Sequence, residues 1–395
     1  MESIKDKVAI VGMGCTQFGE RWDTSPEDLV IEAAYEAFAD AGVESKDIHA
    51  AWVGTFLGVT GSGTVATPLK LDYKPVTRVE NACGTGHEAL RGACYGLLSK
   101  QYDLVLAIGF EKLKDTGFGG LGTALGVDKW HPTWGYGTSA PGRYALAATK
   151  YFSKYGLSRD EGKRVLAMIS VKSHHNGARN PKAHLRREIT IEQVLKAPMI
   201  AWPLGLLDCC GVTDGAAAAV MCRSEDAKSF RKDYVTIKGF GLAAGPGMGK
   251  VMQGYDFTWW DETEHACRQA YEQAGIKNPR KELDVVELHD CFSIAELIAT
   301  ESLSLCERGN YKKDIEAGTF NQEGEIPINL SGGLKSFGHP IGASGCRETY
   351  EIYKQIQGKA QDPSRQLKSC RLGLAHNQGG HPGKFVCAVT IVGEP

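Results

Sequence analysis

The chain holds no run of 18 apolar residues, so no segment reads as a transmembrane helix. Its start, Met1 to Lys7, is charged and leads straight into an apolar stretch, so no export signal is expected. The 12 cysteines include no C-x-x-C pair and follow no regular spacing. With no export signal, a disulfide framework is not expected, and most of the thiols should be small buried hydrophobes. A formal net charge of −2 gives no argument for nucleic acid or an anionic membrane surface. "GPGMGK" (Gly245 to Lys250) lacks the spacing and the Ser/Thr of a phosphate-binding loop, and "GMGCTQ" puts Gln17 where a dinucleotide fingerprint needs its third glycine. His174 and His175 are adjacent and point apart on a helix, so no metal site is expected there. The sequence therefore points to a cytoplasmic protein without nucleic acid, membrane or metal.

What is present is a repetition. At 395 residues the chain suits two domains or one large double unit. "VAIVGMG" (Val8 to Gly14) is echoed by "VTIKGFG" (Val235 to Gly241), each an apolar strand running into glycine. "EAAYEAFADAGV" (Glu32 to Val43) is echoed by "HACRQAYEQAGI" (His265 to Ile276), each an amphipathic helix ended by glycine. "NACGTGHEALRGACYGLLS" and "GHPIGASGCRETYEIYKQIQG" are both glycine-rich turns opening a helix, and an apolar strand follows each. Alternating strands and helices imply two α/β halves with mostly parallel sheets, and two such halves can share a middle helix layer. The copies differ in one place. The second returns at once through "KFVCAVTIV", whereas the first inserts a long Gly-, Trp-, His- and Arg-rich segment before "GAAAAVMCR". An excursion of that size on one copy reads as a lid or substrate-binding device. The expected division is residues 1–114 plus 205–231, an inserted domain at 115–204, and a second half at 232–395.

The reactive side chains sit at the turns. Cys83 precedes Gly84-Thr85-Gly86 at the mouth of a helix. Glycines there permit unusual backbone angles, and a helix N-terminus lowers a thiol pKa from about 8.5 toward roughly 3.5–7.5 while offering free N–H groups to an oxyanion. A small buried cysteine at a tight turn is the bland alternative. His339, in "GGLKSFGHPIGASG" (Gly332 to Gly345), occupies the matching mouth of the second copy, and its Pro partner keeps it out of helical geometry. His289 and Cys291, in "ELHDCFS" (Glu287 to Ser293), lie two residues apart on one face of an extended segment. "AHNQGGHPG" (Ala375 to Gly383) adds His376 and two glycines. If the halves pack about a pseudo-twofold, these side chains converge.

These segments resemble the thiolase superfamily, and within it the sterol-carrier-protein-type and archaeal thiolases. "GHPIGASG" is close to that family's GHPxGxTG, and "HDCF" stands where the better-known thiolases carry Asn-Glu-Ala-Phe. The resemblance implies a duplicated five-layered α/β/α/β/α fold with an inserted loop domain, a homodimer, and a Cys-linked acyl enzyme. It implies Cys83 as nucleophile, His339 as its base, His289 in an oxyanion hole, and Cys291 as the second acid/base. The backbone N–H of Cys83, with one from Gln378, Gly379 or Gly380, implies the second oxyanion hole. Other thiolases carry a cysteine near the C-terminus; here the segment reads His376-Asn377-Gln378-Gly379-Gly380, which leaves His376 as a further candidate without an assigned role. No bound cofactor is implied, coenzyme A being a co-substrate, and a small zinc-ribbon/OB-fold partner is a further expectation. The chemistry fits the set: cleaving a 3-oxoacyl thioester needs a nucleophile, a base, two polarised oxygens and an acid for the departing carbanion.

"VKSHHNGARNPKAHLRRE" (Val171 to Glu188) holds five Lys/Arg and one acid. It reads as a solvated basic face or as a contact for coenzyme A phosphates through Arg179, Lys182, Arg186 and Arg187. Trp130, Trp134, Tyr136 and Trp202 read equally as an acyl pocket or as core. The expected activity is thiolytic cleavage of a 3-oxoacyl-CoA or the reverse Claisen condensation, with acetoacetyl-CoA or a bulky or aromatic substrate such as benzoylsuccinyl-CoA. A decarboxylating ketoacyl synthase and a non-catalytic thiolase-like scaffold are the rivals.

Overall fold

The computed structural model describes residues 3–58, 63–116, 139–246 and 255–395. Among them the strands are β1 Val8–Cys15, β2 Ala50–Gly54, β3 Val76–Val79, β4 Leu104–Lys112, β5 Met199–Ala201, β6 Leu204–Gly205, β7 Asp214–Arg223, β8 Val235–Ala244, β9 Val285–Leu288, β10 Leu372–His381 and β11 Lys384–Gly393. Nine of these are joined in the order β3-β2-β4-β7-β1-β8-β11-β10-β9. The order shows the duplication: β1, β7, β4 and β2 of one half correspond to β8, β11, β10 and β9 of the other. The counterpart of β3 shrinks to a single parallel bridge between Val286 and Ile328. The half-sheets meet at β1 and β8 through only two residue pairs, Ala9 with Thr236 and Ile10 with Val235.

The sheets are mixed rather than mostly parallel. β2 runs parallel to β3 and β4, and β9 to β10, but β7 and β11 oppose both of their neighbours. The reason is connection length. β11 follows β10 through Pro382-Gly383, and so short a link permits only an antiparallel return.

The repeated glycines mark where helices lie on strands. A Cβ at Gly12 or Gly14 of β1 would fall 2.4 Å or 2.1 Å from Ala37 O or Ala33 O of helix Pro26–Ala41. Gly239 and Gly241 of β8 stand in the same relation to Ala270 O and Ala266 O of helix Asp261–Ala274, at 2.6 Å and 1.8 Å. β1 is buried along its length and β7 at all but its last residue, as strands covered on both faces must be. Between the half-sheets run helices Thr85–Leu98 and Ser344–Ile356, the shared middle layer. They cross where a Cβ on Gly86 would come within 2.8 Å of Gly345 N. That crossing brings the two helix mouths together.

The excursion leaves the sheet after Lys112 and returns at Asp214. Its helix Arg159–Ala178 packs against Gly333–Ser336 and Ser293–Ser302 of the second half. Lys172 of that helix pairs with Glu296 at 2.8 Å and donates to Ile328 O at 2.9 Å. Trp130, Trp134 and Tyr136 lie outside the described residues. Trp202 lies at the surface, 38% exposed, with the Arg159 guanidinium 4.6 Å above its ring, which is neither core nor an enclosed pocket.

Candidate active site

Cys83 is presented by a turn that its own backbone closes. Gly84 N donates to Asn81 O at 2.9 Å, Thr85 N to Ala82 O at 3.1 Å, and Asn81 N to Thr85 Oγ1 at 2.9 Å. The left-handed residue of this turn is Ala82, at φ 47°, and not a glycine. Gly84 has ordinary helical angles, and Gly86 is needed for the helix crossing rather than for its backbone freedom. The N–H groups of Gly84 and Thr85 are already engaged by carbonyls, so they do not hold a thiolate. Burial pushes the Cys83 thiol well above its ordinary pKa, with Cys210 and the carboxylates of Glu111, Glu348 and Glu80 adding to the rise. The expected helix-terminus depression is therefore overturned: desolvation dominates, and Cys83 rests as a thiol.

His339 stands over it, with Nε2 3.3 Å from Cys83 Sγ. Its Nδ1 is 2.7 Å from Ser344 Oγ, and Ser344 Oγ lies 3.1 Å from Pro340 O. A hydroxyl has one proton. Donated to Pro340 O, it leaves Ser344 as the acceptor for His339 Nδ1–H, which puts the lone pair on Nε2 facing the thiol. Burial, with His289 and Arg347 nearby, pushes the His339 pKa well below its usual value, so the ring is neutral. The loop that carries it is pinned at two points. Asp290, between His289 and Cys291, accepts from Leu334 N and from Ser173 Oγ. Glu111 accepts from Gly342 N at 3.0 Å and also from Phe56 N, Leu57 N and Thr55 Oγ1.

His289 is fully buried, its ring centroid 5.2 Å from that of His339. The ligating atoms of Cys83, His289 and His339 all lie within 4.8 Å of one another. His289 Nδ1 is 2.7 Å from Asn377 Oδ1, and Asn377 Nδ2 donates to Glu348 Oε2 at 2.7 Å while facing His87 Nε2 at 3.2 Å. With the amide so oriented, His289 Nδ1–H donates to Asn377 and Nε2 carries the second lone pair of the site. Burial holds its pKa down at about 4. A neutral His289 thus presents an acceptor, whereas a direct oxyanion contact would need a donor.

Cys291 is buried, and its carbonyl accepts from Cys210 N at 2.9 Å. Burial raises its thiol well above the usual pKa, and the thiols of Cys210 and Cys83 contribute. Tyr144, from the excursion, packs its ring against Phe292 beside it, centroids 4.7 Å apart and planes tilted by 42°. The backbone of Cys83 meets β10 at Gly379, where a Cβ would lie 2.6 Å from Cys83 N. His376 belongs to the opposite face of β10 from Asn377, as alternate residues must; its Nε2 is 3.4 Å from Thr263 Oγ1. It stands apart from the Cys83–His339 pair.

Sequence reasoning missed His87, Asn377, Glu348, Ser344 and Cys210. His87 follows Cys83 by one helical turn, and Cys210 belongs to a Cys-Cys pair, the two signals that were available. The basic stretch divides. Lys182 donates to Cys15 O and pairs with Glu36 at 2.6 Å, and the Arg179 guanidinium contacts Gln322 and Asn176, both at 3.2 Å. Those two cations bind protein groups. Arg186 and Arg187 are exposed.

Residues 8–225 match the family described as thiolase, N-terminal domain, and residues 247–392 the one described as thiolase C-terminal domain-like. The chain is 37% identical over 383 residues to an acetyl-CoA acetyltransferase of Methanothermobacter thermautotrophicus, covering 95% of this chain and 97% of that one. It is 34% identical to the benzoylsuccinyl-CoA thiolase subunit BbsB of Thauera aromatica, covering 95% and 96%. Among solved structures, the Ltp2-ChsH2(DUF35) aldolase superposes with a TM-score of 0.84 at 25% identity, covering 100% of this chain and 99% of that one. Two half-sheets with a shared helix layer define a thiolase fold, and the chain belongs to the thiolase superfamily. It falls in the branch of the archaeal and sterol-carrier-protein-type members and is an acyltransferase of the thiolase type.

Proposed function

We propose that the chain cleaves a 3-oxoacyl-CoA with free coenzyme A, or runs the reverse condensation, through an acyl group carried on Cys83. The observation that supports this most directly is the 3.3 Å approach of a thiol to an imidazole lone pair whose other nitrogen is held by Ser344. As Cys83 Sγ attacks the ketone carbon, its proton passes to His339 Nε2, so no free thiolate has to be maintained in a buried site. The C2–C3 bond then breaks. Its electron pair becomes an enolate, and Cys291 protonates the enolate carbon. His339, now carrying Nε2–H, donates to the enolate oxygen. His289 acts on the same oxygen through a water that gives one hydrogen to its Nε2 lone pair and the other to the oxyanion. The backbone N–H of Cys83, with one from Gln378, Gly379 or Gly380, receives the tetrahedral oxygen. Coenzyme A then attacks the acyl carbon: its thiol proton passes to the Cys291 thiolate, the new C–S bond forms, and the Cys83–acyl bond breaks as His339 returns its proton to the Cys83 sulfur.

Arg186 and Arg187 are the cations assigned to the coenzyme A phosphates. A bulky or aryl substrate is supported by the likeness to the benzoylsuccinyl-CoA thiolase subunit. A small partner protein is supported by the likeness to the Ltp2-ChsH2(DUF35) aldolase, and a homodimer by β3, which ends the sheet as an edge strand with Thr77 and Arg78 exposed. That same likeness favours one second reading, an aldolase that splits the carbon–carbon bond without an acyl enzyme. Incubation with 3-oxoacyl-CoA in the absence of free coenzyme A, followed by peptide mass spectrometry, separates the two. An acyl adduct on Cys83 is expected. Cleavage that needs no coenzyme A and leaves Cys83 unmodified supports the aldolase, and an adduct on Cys291 reverses the assignment of the two thiols.

A further inference from the structure

The three side chains at the centre of the site meet a second chemical description. One potential ligand atom from each of Cys83, His289 and His339 lies within 4.8 Å of the other two, and His339 Nε2 is 3.3 Å from Cys83 Sγ. A tetrahedral zinc site, with bonds of about 2.3 Å to sulfur and 2.0–2.1 Å to nitrogen, needs ligand separations of about 3.4–3.6 Å. The Cys83–His339 pair, at 3.3 Å, is within a few tenths of an ångström of that spacing. The others need a contraction of at most about 1.4 Å, within reach of small side-chain rotations.

The protonation pattern is also that of a metal site. Each imidazole gives its Nδ1–H to a fixed acceptor, His339 to Ser344 and His289 to Asn377. Those acceptors are themselves anchored, Ser344 on Pro340 O and Asn377 on Glu348. Ligating histidines characteristically use their second nitrogen in this way, because it fixes the tautomer and aims the free lone pair. His289 Nε2 is moreover a fully buried nitrogen without a hydrogen-bond partner among the described residues. The two rings stand at 83° to each other with their centroids 5.2 Å apart.

We propose that Cys83, His289 and His339 form a three-ligand site for a borderline-soft divalent cation such as zinc, and that occupancy of this site blocks the nucleophile. On binding, the Cys83 S–H bond breaks, a sulfur–metal bond forms, and the proton leaves to solvent. Two Nε2 lone pairs complete three positions, and the fourth is open to water or a thiol. The metal is an inhibitor, because the sulfur lone pair that would attack the substrate is held in the metal bond. Inhibition rests on the function proposed above; binding does not.

The test uses the metal-free full chain, titrated with cobalt(II) and then zinc. One equivalent of cobalt(II) is expected to give thiolate charge-transfer absorption together with intense tetrahedral d–d bands, and zinc is expected to abolish both. Cys83→Ser, nearly isosteric and safe for folding, should lose the charge-transfer band and weaken zinc binding by at least about 100-fold. Asn377→Ala, which strips the acceptor from His289, should weaken it about 10- to 100-fold. The absence of saturable binding at one equivalent, or unchanged binding in Cys83→Ser, overturns the site. Saturable binding that leaves turnover untouched upholds the site and removes Cys83 from the nucleophile's role, so the two readings fail separately.

Discussion

Replacing Ser344 by alanine isolates one link in the proposed chemistry. The Ser344 hydroxyl is the acceptor of His339 Nδ1–H at 2.7 Å, and it is wholly buried. In Ser344→Ala that buried N–H loses its partner, at a cost of about 1–3 kcal/mol. The ring can avoid the cost by moving its proton to Nε2, where it faces Cys83 Sγ. That tautomer has no lone pair for the thiol proton. If the productive tautomer loses about 1–3 kcal/mol relative to the other, its population falls by a factor of about 5–150. The rate of Cys83 alkylation by iodoacetamide at neutral pH should fall by that factor, and turnover with it. Mass spectrometry of the Cys83 peptide gives the first rate, and imidazole nitrogen NMR shows directly which nitrogen carries the proton. Ser170→Ala is the control, because it too removes a buried hydroxyl, one that contacts Ser293 rather than a catalytic ring. An alkylation rate within twofold of the parent, in a folded Ser344→Ala protein, would refute the tautomer argument.

Other outcomes follow from the same geometry. Cys291→Ala should abolish deuterium exchange at the α-carbon of acetyl-CoA by roughly 10²–10⁴-fold while acylation of Cys83 survives; equal exchange rates would return Cys291 to a packing role. His289 is held at about 4 by burial, against about 6.5 in an unfolded chain, so the unfolded state binds more protons between those values and stability drains away as pH falls from about 6.5 to 4. Glu287 and Glu301, raised to about 7 by burial, slope the opposite way, so the histidine contribution is read as a difference: the stability deficit of His289→Gln should shrink by up to about 3 kcal/mol across that window in urea melts, and a constant deficit contradicts the burial argument. Arg186→Glu and Arg187→Glu should each raise the KM for coenzyme A about fivefold with kcat kept, whereas Lys182→Met should lower Tm and leave KM alone. A KM shift in the lysine variant would reverse that division.

The duplication was legible in the chain because each half repeats local signals: glycines where a helix lies on a strand, caps, and glycine-rich turns before helices. Cys83 and His339 stood out because each occupies a helix mouth of its own copy. Their juxtaposition needed only the symmetry of the duplication, although 256 residues separate them. Other properties had no local signature. β11 could only run antiparallel after so short a link, but the matching reversal of β7 comes after an excursion whose course depends on packing against the second half. Lys182 looks like a phosphate ligand in a basic stretch, yet Glu36, remote in the chain, claims it. Protonation was the least legible property. A helix mouth by itself argues for a thiolate at Cys83; packing of both halves around the partly buried sulfur weakens solvation of the charge, and the tertiary structure leaves a neutral thiol beside a neutral imidazole. The tautomers of His289 and His339 depend on Asn377 and Ser344, one remote in the chain and one brought round by the turn of the loop. Sequence determines what each side chain can do, and the fold decides how much water surrounds it and which proton it holds.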